Sequence, residues 1–364
     1  MRLESELLLI RVDGSSSSGT GHFMRCLALA QAWRKTGSVV FAVAQSTPAL
    51  EERVRGEGFE VRKLPVEPGS RGDAQETTAL ALQVGAIWVV VDGYQFGADY
   101  QGAIKSAGLR LLFFDDYGHA GYYCADLVIN QNSSADVGTY TRREPHTRLL
   151  LGTRYALLRS EFLTWQDWRR ETPAVARRVL VTLGGSDPDN VTGKVVEALK
   201  MVADVEAVVV VGGSNPHWSS LNAEWRKLAT AFELVVDAKN MPELIARADI
   251  AITAAGATLW EMAFMGLPSL VILLADNQRI NAEFAKRTGL GIYLGWHADV
   301  NPQRVAGALM TFAHDRQRRE DISRELRKMV DGQGAMRVVG AMLDGIAPTY
   351  GRHFGKWSSG CSHT

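Results

Sequence analysis

The chain has 364 residues, enough for two domains of about 150 residues each with connections to spare. Apolar residues make up 46% and charged residues 22%, a globular balance that excludes a disordered chain or a coiled coil. Lys plus Arg is 40 and Asp plus Glu is 40, so no global field draws nucleic acid or an anionic membrane, and an anionic ligand has to be caught locally.

The first apolar run, residues 7–13, predicts a strand. Acids precede it and no small-residue cleavage site follows, so it does not read as a signal peptide. Residues 23–37 predict a helix, with Phe23, Leu27 and Ala30 at helical spacing and Gly37 closing it. A strand at 39–44, a helix at 48–58, a strand at 59–65 and a helix at 74–84 follow. Residues 87–93 form a near-continuous apolar strand, then a helix starts near Tyr100, with further strands at 109–116 and 126–132. Such runs suit strands buried on both faces, and the β-α-β order implies a parallel, doubly wound sheet.

Residues 133–148 are polar, and residues 155–172 fall where an interdomain linker belongs. A second α/β pattern then begins. Its strands are expected at 177–185, 207–213, 232–238, 249–255 and 269–274. Its helices are expected at 191–202, from about 221, at 241–248, at 258–266 and from about 278. The expected organisation is an N-terminal Rossmann-like domain over 1–155, a linker over 156–175, a C-terminal Rossmann-like domain over 176–345 and a tail over 346–364. Two such doubly wound parallel-sheet domains facing a cleft resemble the GT-B architecture of nucleotide-sugar enzymes. No apolar run approaches 18 residues, so no membrane insertion is expected. Cys26, Cys124 and Cys361 are odd in number and far apart, which argues against a disulfide framework or structural zinc and fits a reducing cytoplasm.

Three segments carry the candidate chemistry. The first runs from Asp13 through Gly19, Gly21 and His22 to Arg25, between the first strand and the first helix. Ligands bind at that end of parallel sheets, glycines let backbone approach closely, and helix-start amides attract anions. His22 and Arg25 are three residues apart and project from one face of the first turn. A neutral imidazole is a base near pH 7, and Asp13 is placed to orient it if the loop folds back. The segment is neither a dinucleotide fingerprint nor a P-loop: Met24 stands where the third glycine belongs, and no Gly-Lys-Ser/Thr follows.

The second segment, Gly184-Gly185-Ser186-Asp187-Pro188-Asp189-Asn190, repeats the strand, glycine turn and helix-start logic. Its amides suit a diphosphate or sugar, and its Asp or Asn equally suits an N-cap. The third runs from Asp249 to Asn281. Gly256 lies in a small-residue turn, and Thr258 and Glu261 have capping-box spacing. Glu261 reads either as that cap or as a carboxylate accepting both hydroxyls of a ribose. Asn277 and Gln278 follow a buried strand, where amides serve sugar hydroxyls, acetamido groups or loop capping.

Together with VVDGY at 90–94, FFDD at 113–116, DLVINQN at 126–132, LGTRYALLRSEF at 151–162 and VDGQG at 330–334, these segments resemble one family. It is the UDP-2,4-diacetamido-2,4,6-trideoxy-β-L-altropyranose hydrolase family of pseudaminic acid biosynthesis, related in fold to the lipid II N-acetylglucosaminyltransferase. The resemblance implies inverting hydrolysis of a UDP-sugar between the anomeric carbon and the phosphate oxygen, with no metal and no cofactor. It matches His22 to the general base. It sets uracil near Asn240 and Met241, ribose at Glu261, diphosphate at Gly256 and the helix start at Thr258, and the sugar against Asn277, Gln278 and Tyr94. Diphosphate capture is expected from the turns at Gly21, Gly185 and Gly256 and from Arg25. The competing expectation is a GT-B glycosyltransferase, in which the same base deprotonates an acceptor hydroxyl.

Overall fold

The computed structural model describes residues 6–14, 20–213, 215–225 and 232–344. Gly19 and the 346–364 tail lie outside them.

Seven parallel strands form the first sheet: β1 (Leu7–Val12), β2 (Val39–Val43), β3 (Glu60–Lys63), β4 (Ala86–Asp92), β5 (Leu111–Phe114), β6 (Leu127–Asn130) and β7 (Arg148–Leu151). Six parallel strands form the second: β8 (Arg178–Thr182), β9 (Glu206–Val211), β10 (Phe232–Val236), β11 (Ile250–Ala254), β12 (Ser269–Leu273) and β13 (Ile292–Trp296). Their orders are β3-β2-β1-β4-β5-β6-β7 and β10-β9-β8-β11-β12-β13. Each order reverses beside the domain's first strand, between β1 and β4 and between β8 and β11. A doubly wound sheet opens its ligand crevice at the carboxyl ends flanking that reversal. The fold is therefore two Rossmann-like domains of the GT-B type. Strands β7 and β13 and the helices Pro302–His314, Arg316–Met329 and Gly334–Asp344 add to the elements expected from sequence.

Alternation splits each strand between two cores. Leu8, Ile10 and Val12 face one side of the first sheet and Leu9 the other, all buried. In the second sheet Val179 and Val181 face one core and Leu180 the other. The first helix, Gly21–Trp33, buries Phe23, Leu27, Ala30 and Trp33 under β1.

Two stretches join the domains. In the linker, Leu157 enters the first domain's core, while Ala156, Leu158 and Phe162 enter the second's. Farther along, Arg170 caps the helix Met241–Arg247 by donating to the Ile245 carbonyl at 2.7 Å and to the Ala248 carbonyl. The second crossing brings back the last described helix. Sequence placed residues 334–344 with the second domain, yet Ala335, Val338, Val339 and Met342 pack into the first domain's core, against Gly21–Trp33. Gly334 makes that approach possible, because a Cβ there would stand 2.1 Å from the Ala156 carbonyl oxygen.

Candidate active site

The first helix starts where β1 ends, and its first turn aims His22 and Arg25 at the end of β4. There Asp92 ends an apolar strand with a fully buried carboxylate. His22 Nδ1 lies 2.5 Å from Asp92 Oδ1. Arg25 donates from Nε to Asp92 Oδ2 at 2.6 Å, from Nη2 to Asp92 Oδ1 at 2.7 Å and from Nη1 to Asp116 Oδ1 at 2.8 Å. A carboxylate only accepts, so Nδ1 carries a proton, and in the neutral form of the ring Nε2 holds the basic lone pair. The 3.0 Å approach of Arg25 Nη2 to Nδ1 is then a contact between two donors that share Asp92.

Burial alone would raise the Asp92 carboxyl. The charge of Arg25 and the contact with His22 outweigh it and hold the group well below the usual carboxylate range. Asp116 shifts the same way: burial opposes ionisation, and Arg25 prevails. Arg25 itself is raised above its ordinary value, because the two carboxylates outweigh its desolvation. With both ends of its guanidinium bonded to carboxylates, Arg25 serves as a bracket for the cluster. The expectation that it catches the diphosphate is corrected on that ground.

Tyr94 closes the cluster. Its ring meets His22 edge-on with centroids 4.7 Å apart, and its hydroxyl donates to Asp116 Oδ2 at 2.6 Å. Burial and the neighbouring Asp116 push the phenol upward, so it remains a donor. Asn277 Nδ2, from the second domain, donates to the same hydroxyl at 2.8 Å.

Asp13 is elsewhere. It does not reach the imidazole, because Arg11 Nη1 binds its Oδ1 at 2.7 Å and the amides of Ala44 and Gln45 donate to that same oxygen. It ties β1 to the turn after β2. Asp92 takes the orienting role expected of Asp13.

Between the domains lies a cleft of about 1020 Å³. Gly21 and Arg25 line it from the first domain, and Gly185, Met241, Thr258 and Glu261 from the second. Ser186 follows Gly185, and Asn240 precedes Met241 at its helix start. A Cβ on Gly185 would stand 2.9 Å from Thr20, so the second glycine turn abuts the loop carrying His22. Asp187, at φ +40°, accepts from the amides of Val191 and Thr192 and caps the following helix. Capping is therefore the role of that aspartate.

Of the two readings of Thr258 and Glu261, the capping box does not form. The helix Thr258–Phe264 begins at Thr258 itself, and Ala257 precedes it without a side-chain cap. Glu261 instead accepts from Arg159 Nη2 of the linker at 3.0 Å. Burial raises the Glu261 carboxyl more than Arg159 lowers it. Gln278 Nε2 lies 3.7 Å from where a Gly256 Cβ would be, and its Oε1 accepts from the Leu274 amide. Gly256, Asn277 and Gln278 thus sit together after β11 and β12, and Asn277 reaches the first domain.

Sequence reasoning did not assign roles to Asp92, Asp116 or Arg159. The first two had a signal, since Asp92 ends an apolar strand of the first sheet and Asp116 stands two residues past the end of another. Among the described residues, no three His, Cys, Asp or Glu gather as metal ligands, and no helix is long and apolar enough to cross a membrane.

Comparison with known proteins agrees with this architecture. Residues 178–334 match the glycosyltransferase family 28 C-terminal domain. The uncharacterized protein MJ1062 of Methanocaldococcus jannaschii is 27% identical over 75% of this chain, and the match spans 56% of that longer protein. The spore coat polysaccharide biosynthesis protein SpsG of Bacillus subtilis is 24% identical over 92% of this chain and 97% of its own. A UDP-2,4-diacetamido-2,4,6-trideoxy-β-L-altropyranose hydrolase of Campylobacter jejuni is 25% identical over 78% of this chain and 97% of its own. Among solved structures, MurG of Acinetobacter baumannii superposes with a TM-score of 0.64 at 16% identity, over 93% of this chain and 99% of that one.

Proposed function

We propose that this protein is a UDP-sugar hydrolase. In this reading it cleaves a UDP-linked diacetamido-trideoxy sugar with inversion and without a metal, releasing UDP and the free sugar in pseudaminic acid biosynthesis. The observation that carries it is the His22–Asp92 pair. It leaves Nε2 as the base, at a helix start that borders the interdomain cleft. The likeness to the hydrolase of Campylobacter jejuni adds support.

In this reading a water attacks the anomeric carbon and gives its proton to His22 Nε2. The bond from that carbon to the phosphate oxygen breaks, and UDP leaves with the electron pair. UDP is a good leaving group, so positioning the water and stabilising charge supply most of the acceleration. Asn240 and Met241 are assigned to uracil, Glu261 to ribose, and the turn at Gly256 with Thr258 to the diphosphate. Ser186, Gln278, Asn277 and Tyr94 are assigned to the sugar side. Lys239 lines the cleft beside Asp237, whereas Arg159, also in the lining, is paired with Glu261 and Glu161.

Glycosyl transfer is the second reading, favoured by the family 28 match and by a cleft arm that runs along residues 47–57 of the first domain. The two separate in one assay. Purified protein and the UDP-diacetamido sugar, with no acceptor, are expected to release UDP. Release only after an acceptor is added would establish the transferase.

Glu261→Ala is expected to weaken UDP binding by about 1–3 kcal/mol, the loss of a charged hydrogen bond to the ribose. Calorimetric titration with UDP measures it. Unchanged affinity would leave Glu261 as the partner of Arg159 alone.

A further inference from the structure

Asn281 sits in the second domain's helix Arg279–Thr288 and is 5% exposed. Its amide has two hydrogens, and each goes to a different domain. One is donated to the Ala255 carbonyl at 3.1 Å, next to Gly256. The other is donated across the interface to Asn132 Oδ1 at 3.0 Å. Asn132 in turn donates from Nδ2 to the Asp116 carbonyl at 3.1 Å and to Asp116 Oδ1 at 3.3 Å. Asp116 is the carboxylate shared by Arg25 and Tyr94.

Four residues earlier, Asn277 makes a second cross-domain bond, to Tyr94. The segment 277–281 therefore reaches the first domain twice, and both routes end on Asp116. The carboxamide of Asn132 has two orientations. The Asn281 donor selects the one that turns Asn132 Nδ2 toward Asp116. Among the described residues, Oδ1 of Asn277 and Oδ1 of Asn281 are buried and accept no hydrogen bond. Buried amides that only knit a core usually satisfy both ends. Here the bonds made are one to the Gly256 turn and two across the domain interface.

We propose that Asn281 is a positioning residue. It ties the turn at Gly256 to Asp116, so the His22–Arg25–Asp116–Tyr94 cluster is held in its working geometry only while the domains are closed. The proposal rests on the hydrolase reading for its kinetic test and stands on its own for its conformational one.

Asn281→Leu keeps the approximate volume and removes both donors, and Asn281→Ser is the milder change should the first not fold. Each is expected to lower kcat about tenfold or more with the Kd for UDP within about twofold, because misplacement costs turnover and leaves nucleotide contacts intact. Asn132→Leu is expected to give a similar defect, and the double variant less than the product of the two losses, since the two residues share one bond. A folded variant with unchanged kcat overturns the proposal. So does a parallel loss of kcat and UDP affinity, which would make Asn281 a nucleotide ligand, or a double variant whose losses multiply.

Small-angle scattering with saturating UDP supplies the readout that needs no turnover. The wild-type protein is expected to contract on binding UDP, and Asn281→Leu to contract less. Equal contraction overturns the proposal even if the wild-type protein releases no UDP from the sugar nucleotide, a result that by itself would defeat only the hydrolase reading.

Discussion

His22→Ala is expected to lower UDP release at least ~10²-fold at neutral pH, the usual scale for removing a general base. UDP affinity is expected to stay near the wild-type value, because the residues assigned to the nucleotide lie on the second domain. The substitution leaves Asp92 paired through two bonds to Arg25. No carboxylate is orphaned, so the thermal midpoint should move little. Steady-state kinetics with titration of UDP checks both halves. Unchanged turnover would remove His22 from the chemistry.

Asp92→Asn is expected to cost a similar ~10² or more in turnover by a different route, since groups that orient a catalytic residue carry effects of 10–100-fold and upward. The amide has nearly the carboxylate's shape. Its NH₂ can donate to Nδ1, which moves the ring proton to Nε2 and leaves a donor where the base belongs. It also strips Arg25 of one of two buried counter-charges, so this variant should melt earlier, whereas His22→Ala should not. The pair of variants separates tautomer control from the base itself. A fully active Asp92→Asn would show that the imidazole needs no orienting carboxylate.

The same carboxylate sets a pH dependence. Asp92 ionises in the folded protein well below the range it has in the unfolded chain, near 3.9 for an unperturbed aspartate. Its contribution to stability is therefore fully present above that value and is lost as pH falls through the folded value. Asp115, held down to about 2 against its burial by His119 and by bonds from Tyr123 and Gly118, adds to the same acid limb. Asp92→Asn should flatten that limb, measured as the thermal midpoint between pH 5 and pH 2.

The strands flanking the site were legible because burial on both faces writes uninterrupted apolar runs. Residues 87–92 could only be an interior strand. His22 and Arg25 were legible because helical spacing is local. Their partners Asp92 and Asp116 lie 70 and 91 residues away, and only the β1–β4–β5 order brings them in. Proximity in sequence misled at Asp13. The correcting residue was two positions earlier, since Arg11 and Asp13 project from the same side of a strand. At Thr258 two readings stood side by side, and the capping one fails by phase. A capping box needs Thr258 before the helix, and the helix already includes it.

The last helix of the described chain bears on how the cleft can open. The polypeptide passes from the first domain to the second through the linker and returns before Gly334 to brace the helix that carries His22. The two crossings lie against each other, since a Cβ on Gly334 would stand 2.1 Å from the Ala156 carbonyl oxygen. They are therefore paired, and any movement of one domain on the other has to bend both together. Opening the cleft would break the bonds of Asn277 to Tyr94 and of Asn281 to Asn132, leaving these two passages as the covalent ties between the domains.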